Sequence, residues 1–241
     1  IRDRASTAAA ALGIGFIPGI EVSTRFEGRS IHMLAFWVNS APSTGLFRRL
    51  TDVRESRRSR AERMVTKISE DYPITWEAVL EIANSRGVSA ESVGRPHIAD
   101  ALVAAGSVRD RTEAFASILA SGSPYYARYD AIETCEAIEL IHSAGGVAVG
   151  AHLLSRGRGA EGTGADGIRT LAAAGLDGIE IDHREHDSDQ RTRLRTMARH
   201  LGLLYTGGSD YHGSGKPNWI GENLTSPDHL EALHSRASQT A

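Results

Sequence analysis

Short apolar segments that end in, or carry, an acidic or imidazole side chain recur along this chain and constrain its fold more than any other feature. Each segment is rich in Val, Ile or Leu, as expected of a strand that is buried on both faces. The five segments are residues 14–20, leading to Glu21; 31–38, containing His32; 147–151, leading to His152; 178–181, containing Glu180 and preceding His183; and 203–206, leading to Asp210 and His212.

Helix-like stretches at residues 166–174 and 188–200 separate the last three segments, so strands and helices alternate. This alternation predicts an α/β fold with a parallel sheet or barrel. Because active sites in such folds lie beyond the carboxyl ends of the strands, the polar residues that follow the segments are candidates for one site. His32 stands at the opposite end of its segment. It joins the others only if its strand runs opposite to its neighbours or if the chain bends there.

The middle of the chain, residues 45–128, predicts a helical subdomain inserted between the two parts of the α/β domain, residues 1–44 and 129–241. Gly and Pro separate its four candidate helices, which are residues 47–72, 76–86, 96–105 and 112–120. The first of these carries seven arginines that could line a phosphate-bearing substrate, although a solvated helix face balanced by glutamates explains them as well. The polar tail from residue 235 is expected to fray.

The composition of the chain limits the partners and the metal ligands that it can use. The net charge of −3 over 241 residues gives no global basic field for binding nucleic acid. A single cysteine, Cys135, excludes internal disulfides and thiolate metal clusters, which leaves His and carboxylate ligands suited to Mn²⁺, Mg²⁺, Fe²⁺ or Zn²⁺. No apolar run reaches the roughly 18 residues of a membrane span, and no signal-like segment opens the chain, so a cytoplasmic location is expected.

Residues 205–213 hold the most suggestive local pattern, because Asp210 and His212 follow a short apolar strand and several small residues. Two residues apart in an extended segment, their side chains project to one side and can reach one cation. Taken alone, an Asp-x-His pattern is weak evidence, since such residues more often cap helices or bind water.

Five motifs recur in a fixed order along the chain. They are Pro18-Gly19-Ile20-Glu21-Val22-Ser23-Thr24, His32, Gly94-Arg95-Pro96-His97, Ala151-His152 and Gly207-Gly208-Ser209-Asp210-Tyr211-His212-Gly213. Together they resemble the PHP (polymerase and histidinol phosphatase) family, in particular its branch of 3′,5′-nucleotide bisphosphate phosphatases and a related 5′-to-3′ exoribonuclease. The resemblance covers nearly the whole chain and implies a distorted (β/α)7 barrel with a helical insertion. It also implies two or three divalent ions per chain, with Mn²⁺ expected first.

The resemblance implies roles for individual residues. Glu21 would be a metal-bridging carboxylate, and His32, His152, Asp210 and His212 would be further ligands. Arg95 and His97 would face the substrate phosphate, although a helix start with Pro in its first turn explains them equally well. Residues 183–187 predict a solvated loop, and contact with the substrate is the alternative. The expected catalytic residues are Asp210, His212 and His183, and the expected substrate-binding residues are Arg95, His97 and Arg184.

Two departures from the family pattern stand out. The Asp-Leu-His-x-His and Thr-Asp-His-Asp segments of the family are absent from the sequence, so two strands and several ligands are expected to be missing from this chain, as in a fragment or a degenerate member. A fragment is the preferred interpretation, because an open barrel exposes strand edges. Leu153 also replaces the usual proline after the histidine at position 152.

The resulting hypothesis is metal-dependent hydrolysis of phosphate from nucleotides of the 3′,5′-bisphosphate type, or trimming of short oligonucleotides. The expected partners are these phosphorylated substrates, with no membrane and no stable nucleic-acid partner. The alternatives are a histidinol-phosphate-type phosphatase, a non-catalytic PHP module with a structural or regulatory role, and a barrel amidohydrolase. An amidohydrolase usually needs a strand lysine, and neither Lys67 nor Lys216 lies on a predicted strand.

Overall fold

The computed structural model describes residues 2–128, 130–155, 163–213 and 217–240. The chain divides into two compact units, one of Ile1–Arg48 with Ile132–Ala241 and one of Arg49–Ala131. In chain order the elements are α1 (Arg2–Ala11), β1 (Gly19–Phe26), β2 (Arg29–Phe36), α2 (Gly45–Ile68), α3 (Trp76–Ser85), α4 (Arg95–Ala104), α5 (Arg111–Ala116), β3 (Ile132–Glu133), α6 (Thr134–Ser143), β4 (Val147–Ala151), α7 (Gly164–Ala173), β5 (Gly178–Asp182), α8 (Ser188–Leu201), β6 (Leu204–Gly207) and α9 (Pro227–Thr240).

The first unit contains a six-stranded mixed sheet with the order β3-β1-β2-β4-β5-β6. β4, β5 and β6 run parallel, whereas β2 is antiparallel to both of its neighbours, β1 and β4. The predicted α/β class is confirmed, but the sheet is not purely parallel. Hydrogen bonding among the described strands leaves β3 and β6 at the edges, and closure into a barrel stays a prediction.

A two-residue hairpin turn causes the reversal of β2. Glu27 and Gly28 both have positive φ, at 49° and 78°, as a type I′ turn requires, and Phe26 pairs with Arg29. This backbone matches the right-handed twist of the flanking strands. His32 therefore lies near the start of a strand that runs opposite to β4, which is one of the two conditions for its joining the cluster.

The first strand begins later than the sequence predicts. Residues 14–18 lie outside β1, and the side chains of Ile14, Phe16 and Ile17 are exposed. Pro18 has no N–H to donate to a ladder, and its carbonyl accepts the N–H of Trp37 just beyond the end of β2. The ladder therefore starts at Gly19, which places Glu21 inside the strand rather than beyond it.

Helices pack on the sheet through its apolar side chains. Val22, Thr24 and Phe26 are buried in alternation along β1, and the whole of β4 is buried. Val147 and Val149 of β4 pack against Leu233 and Ala237 of α9. α9 continues to Thr240, so the tail from residue 235 is helical, and its fraying stays a prediction. Burial of each such side chain contributes about 1.5–3 kcal/mol relative to exposure.

The second unit is helical and has a core of its own, built from α3, α4, α5 and most of α2. Met64 and Ile68 of α2 are buried with Ile98 and Leu102 of α4. α5 ends at Ala116 rather than at residue 120, and Ser117, which closes it, has φ −122° and ψ −91°. Among the described residues, no helix is both long and apolar enough to cross a membrane.

Candidate metal centre

The register of the hairpin places Glu21 and His32 on one face of the sheet. Ser23 pairs with His32 and Glu21 pairs with Leu34, so Glu21 and His32 are diagonal neighbours on adjacent strands. The Glu21 Oε1 atom contacts His32 Nδ1 directly. Residues on the opposite face, Ile31 and Met33, are buried in the core. The alternation of β2 thus separates the packing side chains from the polar ones.

His152 comes to the same place from the end of β4. Ala151 pairs with His32 across the sheet, and His152 follows with a positive φ of 32°. That conformation is uncommon for a residue other than glycine and places the ring back over the strand ends, where its Nε2 lies 3.7 Å from Glu21 Oε1. One ligand atom each from Glu21, His32 and His152 lies within 4.8 Å of the other two.

Asp210 and His212 follow β6 and complete a second group of three. Asp210 has a positive φ of 47°, and its carbonyl oxygen lies 2.8 Å from His212 Nδ1. A proton on Nδ1 donated to this carbonyl leaves Nε2 with a free lone pair for a metal. Ligand atoms of Glu21, Asp210 and His212 again lie within 4.8 Å of one another.

The two groups share Glu21, and their donor set fits divalent cations. Carboxylate and imidazole ligands suit Mn²⁺, Mg²⁺, Fe²⁺ and Zn²⁺. The neighbouring imidazoles of His152 and then of His32 hold the pKa of Glu21 well below its usual range, so its carboxylate is charged at neutral pH. Burial opposes the charged form of His152, but the nearby carboxylates of Glu21, Glu180 and Glu185 outweigh it and raise the pKa of His152. The structure thus brings together all five predicted ligands at a site that fits divalent metal ions.

Glu180 lies beneath the cluster and was given no role by the sequence. Its side chain is buried in β5, and its Oε2 accepts the backbone N–H of His152 at 3.1 Å. Its other oxygen packs so closely on Gly208 that a Cβ there would lie less than 3.0 Å from it. Desolvation raises the pKa of Glu180 to about 7. Its only sequence signal was an acidic residue within an apolar strand.

The loop after β5 is not the solvated segment that the sequence favoured. His183 and His186 are both buried. His186 Nδ1 faces the carbonyl of Ile181 at 3.0 Å and its Nε2 accepts the N–H of Leu154 at 3.3 Å, so His186 joins β5 to the loop after β4. Asp187 caps α8 by accepting the N–H of Gln190.

His183 points its unpaired nitrogen towards the cluster. Its Nδ1 accepts the N–H of Glu185 at 3.1 Å, so in the neutral ring the proton is assigned to Nε2. Nε2 lies 3.7 Å from Asp210 Oδ2 and, within the described part of the chain, has no hydrogen-bond partner. Desolvation lowers the pKa of His183 to about 4, so the ring is neutral at pH 7. His183 therefore presents a hydrogen-bond donor beside Asp210.

Arg184 is joined to the same edge of the site. Its Nε lies 3.0 Å from Glu222 Oε1, and its Nη1 lies 3.5 Å from the side-chain oxygen of Asn218. The amide nitrogen of Asn218 donates to the carbonyl of Ser209 at 2.7 Å and to that of Asp210 at 3.4 Å. Sequence reasoning missed Asn218, because its role depends on a fold-back of the chain.

Arg95 and His97, in the second unit, make contacts with their own surroundings. His97 Nδ1 accepts the N–H of Gly94 at 3.1 Å and closes the first turn of α4. Arg95 donates to the carbonyl of Leu119 at 3.3 Å, and its guanidinium lies 5.4 Å from the ring centroid of Phe115. These contacts accord with the helix-start interpretation, and phosphate binding by the pair stays a prediction.

Comparison with known proteins identifies relatives over most of the chain, although no protein-family model matches it. It is 31% identical to the 3′,5′-nucleoside bisphosphate phosphatase of Chromobacterium violaceum, over 88% of this chain and 73% of that protein. It is 30% identical to the 5′-3′ exoribonuclease of Haemophilus influenzae, over 87% of this chain and 74% of that protein.

A solved structure is also similar. A protein from Bifidobacterium adolescentis, assigned as a metal-dependent phosphoesterase, aligns with a TM-score of 0.80 and 40% identity, over 97% of this chain and 81% of that one. The similarity therefore extends from the sequence to the fold. The chain belongs to the phosphoesterase family that includes these 3′,5′-nucleoside bisphosphate phosphatases and 5′-3′ exoribonucleases.

Proposed function

We propose that this chain is a metal-dependent phosphoesterase of the PHP type, which removes phosphate from nucleoside 3′,5′-bisphosphates or trims short oligonucleotides. The observation that carries the proposal is one carboxylate, Glu21, shared by two groups of potential ligands. A shared carboxylate can hold two cations close together, as in the two-metal sites that hydrolyse phosphate esters. The distorted (β/α)7 barrel remains the predicted architecture around it.

Each ligand has a defined task in this proposal. Glu21 and Asp210 supply the negative charge that brings cations together, while the neutral imidazoles of His32, His152 and His212 complete the donor set without further charge. Two or three divalent ions bound there, Mn²⁺ being the first candidate, would polarise the phosphate and supply a nucleophilic water at neutral pH.

His183 and Arg184 act on the substrate. His183 Nε2, beside Asp210, donates a hydrogen bond to a phosphoryl oxygen or to the leaving oxygen. Arg184 offers its guanidinium to a phosphate, for which planar, bidentate donors are well suited. We retain the prediction that Arg95 and His97 bind a substrate phosphate. The predicted assistance to the leaving group falls to His183, because His212 holds its Nδ1 proton on the Asp210 carbonyl and would offer the Nε2 lone pair to a metal.

The nucleotide substrates follow from the relatives, whose names specify a nucleoside bisphosphate and an RNA. A barrel amidohydrolase is disfavoured, because Lys67 lies in α2 and not on a strand, while Lys216 lies outside the described residues. A histidinol-phosphate phosphatase and a non-catalytic module remain as outcomes of the experiment that tests the proposal.

The test is an activity assay of the purified protein with added Mn²⁺. Adenosine 3′,5′-bisphosphate, a short 5′-phosphorylated RNA and histidinol phosphate are the substrates, with release of phosphate and mononucleotide as the readouts and a chelator as the control. We expect turnover of the first two substrates only with metal. Faster hydrolysis of histidinol phosphate would favour that phosphatase. Stoichiometric metal without any turnover would favour the non-catalytic module.

A matched pair of variants tests the shared carboxylate. Glu21→Gln keeps the size of the side chain and removes its charge, whereas Glu133→Gln makes the same change at an exposed position of β3. We expect Glu21→Gln to lower activity and metal affinity by about 100-fold or more. Loss of a residue that only hydrogen-bonds to a metal ligand already lowers metal affinity or activity by about 10- to 100-fold. Full metal content in Glu21→Gln would contradict the assignment.

A further inference from the structure

An exposed tryptophan lies next to the candidate metal centre. The side chain of Trp219 is 73% exposed and that of Tyr211 is 50% exposed. Among the Trp, Tyr and Phe residues that the structure describes, these two are the most exposed. Tyr211 stands between the potential ligands Asp210 and His212, and Trp219 follows the Asn218 that binds the Asp210 carbonyl. The two most exposed aromatic residues are therefore carried by the segments that hold Asp210, His212 and Asn218.

The backbone that carries Trp219 is held firmly. Glu222 uses one oxygen to accept the N–H of Trp219 at 3.0 Å and the other to pair with Arg184 at 3.0 Å. The N–H of Glu222 in turn donates to the carbonyl of Trp219 at 3.2 Å, which closes a turn. One carboxylate thus binds both the Trp219 backbone and the Arg184 guanidinium.

Asn218 joins this turn to the metal centre. Its side chain is bonded to the backbone of Ser209 and Asp210 on one side and to Arg184 on the other. A continuous set of contacts therefore runs from a metal ligand through Asn218 to Trp219 and Arg184. The backbone from which this large apolar side chain projects is therefore already ordered, so a ligand that bound the indole would not have to order the turn.

We propose that Trp219 is the platform on which a nucleobase of the substrate stacks, with Arg184 beside it contacting a phosphate. This inference rests on the proposed function and adds to it a site for the base. Proteins that bind single-stranded nucleic acid combine such aromatic faces with cationic side chains, and stacking tolerates any base. The proposal gives a role to the exposed Trp219 and to the Arg184 guanidinium, both of which are joined to the metal centre through Asn218. A phosphatase that acts only on small sugar phosphates has no base to bind and does not need the aromatic side chain.

The test compares substrates with and without a base. Wild type, Trp219→Ala and Trp219→Phe are assayed with Mn²⁺ on adenosine 3′,5′-bisphosphate and on the matching abasic 3′,5′-bisphosphate. We expect Trp219→Ala to raise KM for the nucleotide about fivefold to 150-fold, since stacking on one aromatic contributes roughly 1–3 kcal/mol per base. Trp219→Phe keeps an aromatic face and should stay within about threefold of wild type. KM for the abasic substrate should not change in either variant.

The outcomes separate this inference from the proposed function. If wild type hydrolyses neither substrate, the proposed function fails. If wild type is active and Trp219→Ala changes KM for both substrates equally, or for neither, the stacking platform is wrong. An exposed tryptophan can also contact another protein chain, and light scattering on the same variants tests this alternative. A change in mass with Trp219→Ala, together with an unchanged ratio of KM between the abasic substrate and the nucleotide, would show a protein contact instead.

A binding measurement that needs no turnover supports the kinetics. AMP is titrated into the chelated protein, which has three tryptophans, and the intrinsic fluorescence is followed. Quenching in wild type that is absent in Trp219→Phe is expected, because only an indole next to the base loses its emission. Equal quenching in both proteins would place the base at another tryptophan and overturn the proposal.

Discussion

Replacement of Glu180 by glutamine should stabilise the metal-free protein at alkaline pH. The amide keeps the size of the side chain and an oxygen that can accept the N–H of His152, but it cannot ionise. In wild type, burial raises the pKa of this carboxyl from 4.5 to about 7. The folded protein therefore binds the proton of Glu180 more tightly than the unfolded chain does.

The size and the sign of the effect follow from that difference. Because the pKa is raised on folding, the contribution of Glu180 to stability is fully present below pH 4.5, declines as the pH rises and is lost above about pH 7. A difference of 2.5 pKa units corresponds to about 3 kcal/mol at 1.36 kcal/mol per unit. Glu180→Gln lacks this decline, so it should be more stable than wild type by up to about 3 kcal/mol at pH 8 and equally stable below pH 4.5.

The assay is urea unfolding of the chelated proteins between pH 4 and pH 8.5. Hydrogen exchange of peptides from β4 and β5 assigns the transition to the unit that contains the sheet, since the two units can unfold separately. Glu133→Gln, which makes the same change at an exposed position of β3, is the matched control. A difference between Glu180→Gln and wild type that does not vary with pH would refute the reasoning.

Three further changes test other parts of the structure. Gly208→Ala places a methyl group against Glu180 Oε1, so it should lower the free energy of unfolding by about 1–3 kcal/mol and weaken metal binding. The control Gly122→Ala, with open space around its Cβ, should change the free energy of unfolding by less than about 0.5 kcal/mol, and equal effects of the two variants in urea unfolding would contradict the close packing at Gly208. Asp100→Ala removes the acceptor of the Arg111 guanidinium, whose hydrogen bond lowers the pKa of Asp100 from 3.8. The expected loss of about 1.5–3 kcal/mol at pH 7 should therefore shrink as the pH falls below 3.8 towards the lowered pKa, and a loss that stays constant over that fall would exclude this pairing as its cause. Removal of metal by a chelator should lower stability by about 2.7 kcal/mol relative to protein in a hundredfold excess of Mn²⁺ over its Kd, and a melting temperature that does not depend on Mn²⁺ in calorimetry would argue against a specific site.

The sequence was most informative where one strand is buried on both faces. The predicted segment 147–151 coincides with β4, and the segments at 178–181 and 203–206 each differ from β5 and β6 by a residue or less at either end. Continuous apolar runs of this length have few other ways to bury their side chains. The first segment was misplaced because residues 14–17 are apolar yet exposed, and Pro18 prevents the ladder from extending to them.

Most of the potential metal ligands could be predicted from the sequence, but the residues that contact and position them could not. His152, Asp210 and His212 follow the ends of strands, which is a pattern visible in the sequence, whereas Glu21 was expected beyond a strand and lies inside β1. The place of His32 depended on a hairpin at Glu27-Gly28 that lacks the usual Asn-Gly or Asp-Gly signal. The burial of His183, the contact of Asn218 with the Asp210 backbone and the position of Glu180 beneath His152 all result from tertiary packing, which no local pattern encodes.

The tight turn between β1 and β2 sets the tolerance of this protein to insertions. Surface hairpin loops usually accept extra residues, since their conformation affects little else. Here the turn sets which side chains of both strands face the core. A single added residue that shifted the register would turn His32 into the core and Ile31 or Met33 out towards the candidate metal centre. An exposed two-residue turn, which contains no ligand itself, should therefore vary in sequence during evolution but not in length.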